Sequence, residues 1–235
     1  MKIHRLKDQE KAKAAAQKAL SALFAKHKNT PILFLCSGGS ALELLDGLFL
    51  SGRKDLITLG MLDERYSEKE GINNFLQLTK TKFFFDMLTG GTMLIDTSIQ
   101  DKESLSDISE RFSASLRGWR TINSNGIIIA TIGIAQDGHT AGIMPKMAEE
   151  EFGDLFENDE VWAVGYDTGR RGDQRERVTV TLPFLRTIDY AVAYVVGWQK
   201  ERALSRVMEK EGSLREIPAR IIREMKDVSV FTDIA

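Results

Sequence analysis

Of the three histidines in the chain, one stands where chemistry can be done. His4 lies near the start and His27 on a polar helix end, and neither has reactive neighbours in sequence. His139 sits in Asp137-Gly138-His139-Thr140, directly after the most apolar stretch of the chain, GIIIATIGI at 126–134. Imidazole titrates near neutrality, so it can take a proton from water at physiological pH. An aspartate two residues away can fix its tautomer, as the third member of a triad does. A covalent route would need an activated nucleophile, and the chain has no GxSxG elbow.

Further groups fall at comparable places. Asp63-Glu64-Arg65 puts two carboxylates and a guanidinium after an apolar run; neighbouring carboxylates can separate in pKa, and an arginine beside them can hold phosphate or a developing oxyanion. Ser37-Gly38-Gly39-Ser40 joins an apolar run to a helix-like segment, where glycines allow close backbone approach and a helix start favours an anion or a sugar hydroxyl. It is neither a GxGxxG fingerprint nor a Walker loop. Arg170, Arg171, Arg175 and Arg177 crowd one loop, and clustered arginines make bidentate contacts to phosphate oxygens. Lys200, just after Gly197, can turn its charge back towards a sheet edge. Cys36 reads as a core residue at a strand end.

The elements that must position these groups alternate along the chain. Helix is expected at 7–28, a buried strand at 32–36, helix-like chain at 41–50 and a strand at 56–62. Helix follows at 72–88, continuing near 92–95, and again at 101–118, opening at Asp101. Strands are expected at 126–134, 161–167, 178–182, 190–197 and 228–233, with a helix from 198 to 212. This alternation predicts an α/β fold, one domain spanning 1–235, with a mostly parallel, doubly wound, Rossmann-like sheet. Ligands of such sheets bind beyond the carboxyl ends of the strands, and four of these segments end in SGGS, DER, QDGHT and GWQK.

Composition narrows the classes of function. Lys plus Arg is 32 against 34 Asp plus Glu, a net charge of −2, which argues against nucleic acid as a partner. A single cysteine excludes an internal disulfide framework, and few histidines make a metal centre unexpected. No run of about 18 apolar residues predicts a membrane span. The charged start lacks a signal-peptide core, so a cytoplasmic, soluble protein is expected, a monomer or small homo-oligomer.

Taken in order, SGGS, DER, GIAQDGHTAGIMP, RVTVTLPFL, GWQKERAL, IPARII and VSVFTD resemble motifs of the 6-phosphogluconolactonase family, over residues 31–235. The resemblance implies a sugar-phosphate isomerase-like fold and hydrolysis of 6-phospho-D-glucono-1,5-lactone to 6-phosphogluconate in the oxidative pentose phosphate pathway, with no cofactor or metal. It implies that His139 activates water, that Asp137 orients it and that Arg65 lies near the lactone oxygens or phosphate. Arg177 and Lys200 would hold the phosphate, and Ser37, Gly38, Gly39 and Ser40 would line the sugar. Asp63, Glu64, Asn74, Gly138 and Thr140 complete the implied binding set. The sequence departs from the family pattern at Ala41-Leu42, Ser67-Glu68, Asn73-Asn74, Ala135-Gln136 and Gly142-Ile143-Met144. Two other readings stand beside this one: a glucosamine-6-phosphate deaminase or isomerase, in which the residue matching Asp63 shuttles protons, and a non-catalytic sugar-phosphate sensor. Those deaminases commonly carry Tyr at the position of Arg65 and Ile at that of Thr140.

Overall fold

Five consecutive apolar residues, Ile32–Cys36, form a strand that is buried along its whole length. Successive side chains of a strand point to opposite faces. Ile32, Phe34 and Cys36 therefore enter one core, and Leu33 and Leu35 enter another on the far side. A strand apolar on both faces requires cover on both, which is the condition for a doubly wound sheet.

The computed structural model describes residues 1–50, 52–169, 171 and 174–235. In chain order the elements are β1 (Lys2–Arg5), α1 (Gln9–Lys26), β2 (Ile32–Cys36), β3 (Ile57–Met61), β4 (Asp63–Arg65), α2 (Asn74–Thr79), α3 (Lys82–Thr89), β5 (Met93–Leu94) and α4 (Leu105–Ile122). They continue with β6 (Ile127–Gly133), α5 (Glu149–Phe156), β7 (Ala163–Asp167), β8 (Glu176–Val180), α6 (Leu182–Thr187), β9 (Tyr190–Val195), α7 (Glu201–Met208) and β10 (Asp227–Thr232). Seven strands form one sheet in the order β1-β10-β9-β6-β2-β3-β5, with every neighbouring pair parallel. On one face α1 presents Ala12, Ala16, Leu20 and Phe24; on the other α4 presents Ile108, Phe112, Leu116 and Trp119. The expected α/β architecture is present, and β4, β8 and β7 add a small antiparallel sheet in that order.

Several elements differ from expectation for identifiable reasons. The segment after β2 is a 3₁₀ helix, Gly39–Leu45, and the chain turns at Gly47 in the left-handed region (φ 75°). The helix expected at 72–88 is two helices, because the Thr81 hydroxyl accepts from the Phe84 amide and starts α3 afresh. Residues near 92–95 do not continue it but pair with β3 as the edge strand β5. Helix α4 opens at Leu105 rather than Asp101, since Asp101 and Lys102 have positive φ and Ser104 forms a capping box with Asp107. A 3₁₀ turn, Trp198–Lys200, precedes α7. Asp63-Glu64-Arg65, expected as the polar end of the strand before it, is a separate short strand. Strand β1 and helix α5 were not anticipated.

Candidate functional site

Strands β2 and β6 lie side by side, and the chain leaves them in opposite directions: β2 leads to β3 and β5 on one side, β6 to β9 and β10 on the other. Such a reversal parts the loops at the carboxyl ends of the strands and opens a crevice. A cavity of about 410 Å³ lies there. The loops after β2, β6 and β9 and the strands β4 and β8 contribute its walls. Hydrogen bonds tie the loop after β2 to β6: the Ser37 amide donates to Thr131 Oγ1 (3.0 Å), and the Gly133 amide donates to Ser37 Oγ (3.2 Å).

The loop after β6 folds tightly on itself. The Ala135 amide donates to the His139 carbonyl and the Gly138 amide to the Ala135 carbonyl, each at 3.0 Å. Gly138 takes φ 91°, and a Cβ there would lie 2.8 Å from Ile217 Cδ1. The C-terminal segment IPAR braces the turn through the Ala219 amide, which donates to the Gly138 carbonyl. Asp137 Oδ1 accepts from the His139 amide (3.1 Å) and lies 2.7 Å from His139 Nδ1. With Nδ1–H donating to the carboxylate, Nε2 is left as the bare, basic nitrogen. Burial pushes the Asp137 carboxyl up, but the hydrogen bonds and charge of His139 outweigh it and hold it below the usual carboxylate range.

The small sheet supplies the next wall. Asp63 and Arg65 are two residues apart on β4 and face the same way, and Arg177 on β8 stands directly opposite Arg65. Like charges directly opposed across strands are unfavourable. Asp63 relieves part of this, with Oδ2 3.6 Å from Arg177 Nη1 and both side chains only 7% exposed. Burial pushes the Asp63 carboxyl up, against the pull of Arg177, Arg65 and His139. On the remaining side Lys200 Nζ donates to Ser40 Oγ at 2.9 Å, joining positions 160 residues apart. Burial lowers the proton affinity of Lys200, opposed by Glu43 and Asp233. Three cations thus face the cavity against two carboxylates, Asp63 and Asp137.

Two polar atoms at this cavity are buried without a partner among the described residues: Arg65 Nε and Asn74 Oδ1. One can donate and the other accept, which suits an oxygen-rich anion that also carries hydroxyls. Asn74 is pressed against the backbone at Gly38, where a Cβ would come within 2.5 Å of its Oδ1, so the loop needs glycine there.

Eleven of the residues singled out in sequence line this one cavity: Ser37, Gly38, Gly39, Ser40, Asp63, Arg65, Asn74, Asp137, His139, Arg177 and Lys200. Three do not. Glu64 alternates with Asp63 and Arg65 and so points away; its carboxylate accepts from the Arg65, Asn74 and Phe75 amides and from Thr97 Oγ1, anchoring the start of α2. Thr140 donates its hydroxyl to the Gly133 carbonyl, and Gly138 serves the turn. Of the arginine loop, Arg175 pairs with Asp167, Arg171 lines a different cavity, and Arg170 lies outside the described residues. Ile134, Ala135, Gln136 and Ala141 also line the cavity; lying on the loop of His139, they were within reach of the sequence argument. Among the described residues no group of three or more His, Cys, Asp or Glu side chains could hold a metal ion, and no helix is long and apolar enough to cross a membrane.

A family model described as glucosamine-6-phosphate isomerases/6-phosphogluconolactonase matches residues 6–231. A probable 6-phosphogluconolactonase of Dictyostelium discoideum is 23% identical over 172 residues, 72% of this chain and 69% of that protein. The fold is similar to the 6-phosphogluconolactonase structure from Plasmodium vivax (TM-score 0.77, 14% identity, 99% of this chain and 90% of that one). It is likewise similar to that from Thermotoga maritima (TM-score 0.74, 21% identity, 98% of each chain).

The Glu64 clamp is testable. In Glu64→Gln the new side-chain amide would turn N–H groups towards donors that now meet a carboxylate. The substitution should lower unfolding stability in urea by about 2 kcal/mol, the usual cost of leaving buried partners unpaired.

Proposed function

The chain belongs to the glucosamine-6-phosphate isomerase/6-phosphogluconolactonase family, and from that membership we propose that it hydrolyses 6-phospho-D-glucono-1,5-lactone to 6-phosphogluconate. The observation that carries this reading is the His139–Asp137 contact of 2.7 Å at the wall of a cavity that is cationic elsewhere. An ester carbonyl needs a water made nucleophilic, and the phosphate at the far end of the substrate needs cations to hold it; the cavity has groups suited to both.

In this mechanism His139 Nε2 takes a proton from water as its oxygen attacks the lactone carbonyl carbon, and the resulting imidazolium is stabilised by Asp137. The carbonyl electrons move onto oxygen, next to the Arg65 guanidinium. On collapse the carbonyl re-forms and the bond from C1 to the ring oxygen breaks. The ring oxygen takes the proton from His139 and becomes the C5 hydroxyl, and the new acid ionises to a carboxylate. Lys200 and Arg177 hold the phosphate and the SGGS turn lines the sugar, so that binding energy remote from C1 is used to orient it. Asp63 positions Arg177. Asn74 and Arg65 meet the sugar oxygens through the atoms that otherwise lack partners.

One feature favours a second reading. A carboxyl with raised proton affinity, Asp63, faces the cavity, and such a group can carry a proton between sugar atoms in an aldose–ketose isomerisation. Release of ammonia from glucosamine 6-phosphate would establish that reading instead.

Freshly prepared lactone, corrected for spontaneous hydrolysis, tests the proposal. Wild-type protein should accelerate ring opening, and His139→Ala should lower kcat by roughly 10²–10⁴-fold, the scale of a lost general base. A near-normal kcat in that variant would sink the mechanism. Lys200→Ala and Arg177→Ala should mainly raise KM, as uniform binding contacts do. Because burial lowers the proton affinity of Lys200, its charge is lost at a lower pH than that of an ordinary lysine. KM should therefore rise as pH increases, before the usual lysine range is reached. Lys200→Arg should move that rise to higher pH; an unchanged alkaline profile would exclude Lys200 as its source.

A further inference from the structure

Behind the loop that carries His139 lies a second cavity of about 420 Å³, close in size to the first and within the range of small-ligand sites. Gln136 and Asp137 line both, so the two cavities adjoin at this stretch of chain. Four cations from three parts of the chain face the second cavity: Lys146, Arg171, Arg202 and Arg206.

Lys146 and Arg202 are exposed to solvent, whereas Arg171 and Arg206 are partly buried. Arg202 and Arg206 stand one turn apart on α7, where like charges destabilise a helix. Lys146 adopts φ 60°, uncommon for a side chain larger than glycine, and its amide donates to the Arg215 carbonyl at 2.8 Å. Asp137 is the one carboxylate among the described residues that line this cavity. Glu216 meets Arg206 at 3.5 Å, and Asp137 is already engaged by His139. Among the described residues neither Lys146 nor Arg202 has a carboxylate within salt-bridge distance.

We propose that this cavity is a second anion site, which binds a small metabolite bearing two or more phosphate charges, separate from the cavity that contains His139. Guanidinium groups supplied by α7 and by the loop before β8 suit phosphate oxygens, which they meet in bidentate geometry. The arginine-rich loop thereby divides its work. Arg177 serves the first cavity, Arg171 the second, and Arg175 a local pair with Asp167.

Calorimetric titration with pyrophosphate and, in parallel, with fructose 1,6-bisphosphate tests the site without reference to catalysis. The two probes distinguish an inorganic polyphosphate from a phosphorylated sugar as the preferred occupant. Wild-type protein should show a binding component for at least one probe that weakens by about tenfold or more in Arg202→Ala/Arg206→Ala, the loss expected when charge-assisted hydrogen bonds are removed. Lys146→Ala, on a different element, should weaken the same component, and Lys200→Ala should leave it in place. If neither probe binds, or if the arginine and lysine variants give wild-type isotherms, the proposal is overturned. Because binding alone is read, this result is independent of whether the protein opens the lactone.

Discussion

The hydrogen bond between Asp137 and His139 is the interaction on which the rest of the site depends. A single carboxylate oxygen accepts from the backbone of His139 and faces its ring nitrogen, so it shapes the turn and orients the imidazole at once. That double use demands a sharp loop. The loop is sharp because Gly138 can take a left-handed conformation and because the C-terminal segment packs against it with no room for a side chain. Two distant parts of the chain, the end of β6 and residues 217–219, are therefore joined by the geometry of one histidine.

Placing that histidine usefully is the work of the sheet. The order β9-β6-β2-β3 sets four carboxyl ends next to one another, and the change of direction between β6 and β2 leaves room between their loops. The second, antiparallel sheet then adds charge. Its alternation sends Asp63, Arg65 and Arg177 into the cavity, while Glu64 turns away and takes up the amides that open α2. Two opposed arginines are tolerated because Asp63 lies beside them, and their remaining positive potential is available to an anionic ligand.

Much of this was legible in the residues themselves. Continuous apolar runs such as ILFLC and GIIIATIGI can only be buried on both faces, and the polar or glycine-rich residues that follow them had to share one edge of a parallel sheet. His139 stood out because the other two histidines lacked reactive company; in the fold His4 stacks on Phe231 and His27 caps α1. What was not legible depended on pairing. Lys2–Arg5 is charged and mostly exposed, and it is a strand only because β10 offers it an edge. A three-residue strand such as β4 is too short to display its period, so the outward turn of Glu64 could not be seen in DER. The Lys200–Ser40 contact spans 160 residues, and nothing local announces it. The small helix breaks at Thr81 and Ser104 were present as capping residues within segments whose apolar content suggested uninterrupted helix.

The central claim is that Asp137 holds His139 with its Nε2 free to take a proton from water. Proton-coupled ¹⁵N spectroscopy of the imidazole in the free protein, at a pH where it is neutral, reads this directly. The account predicts the Nδ1–H tautomer in the wild type, with Asp137→Asn shifting the population towards Nε2–H. A neutral ring already carrying its proton on Nε2 in the wild type, unchanged by Asp137→Asn, would contradict it.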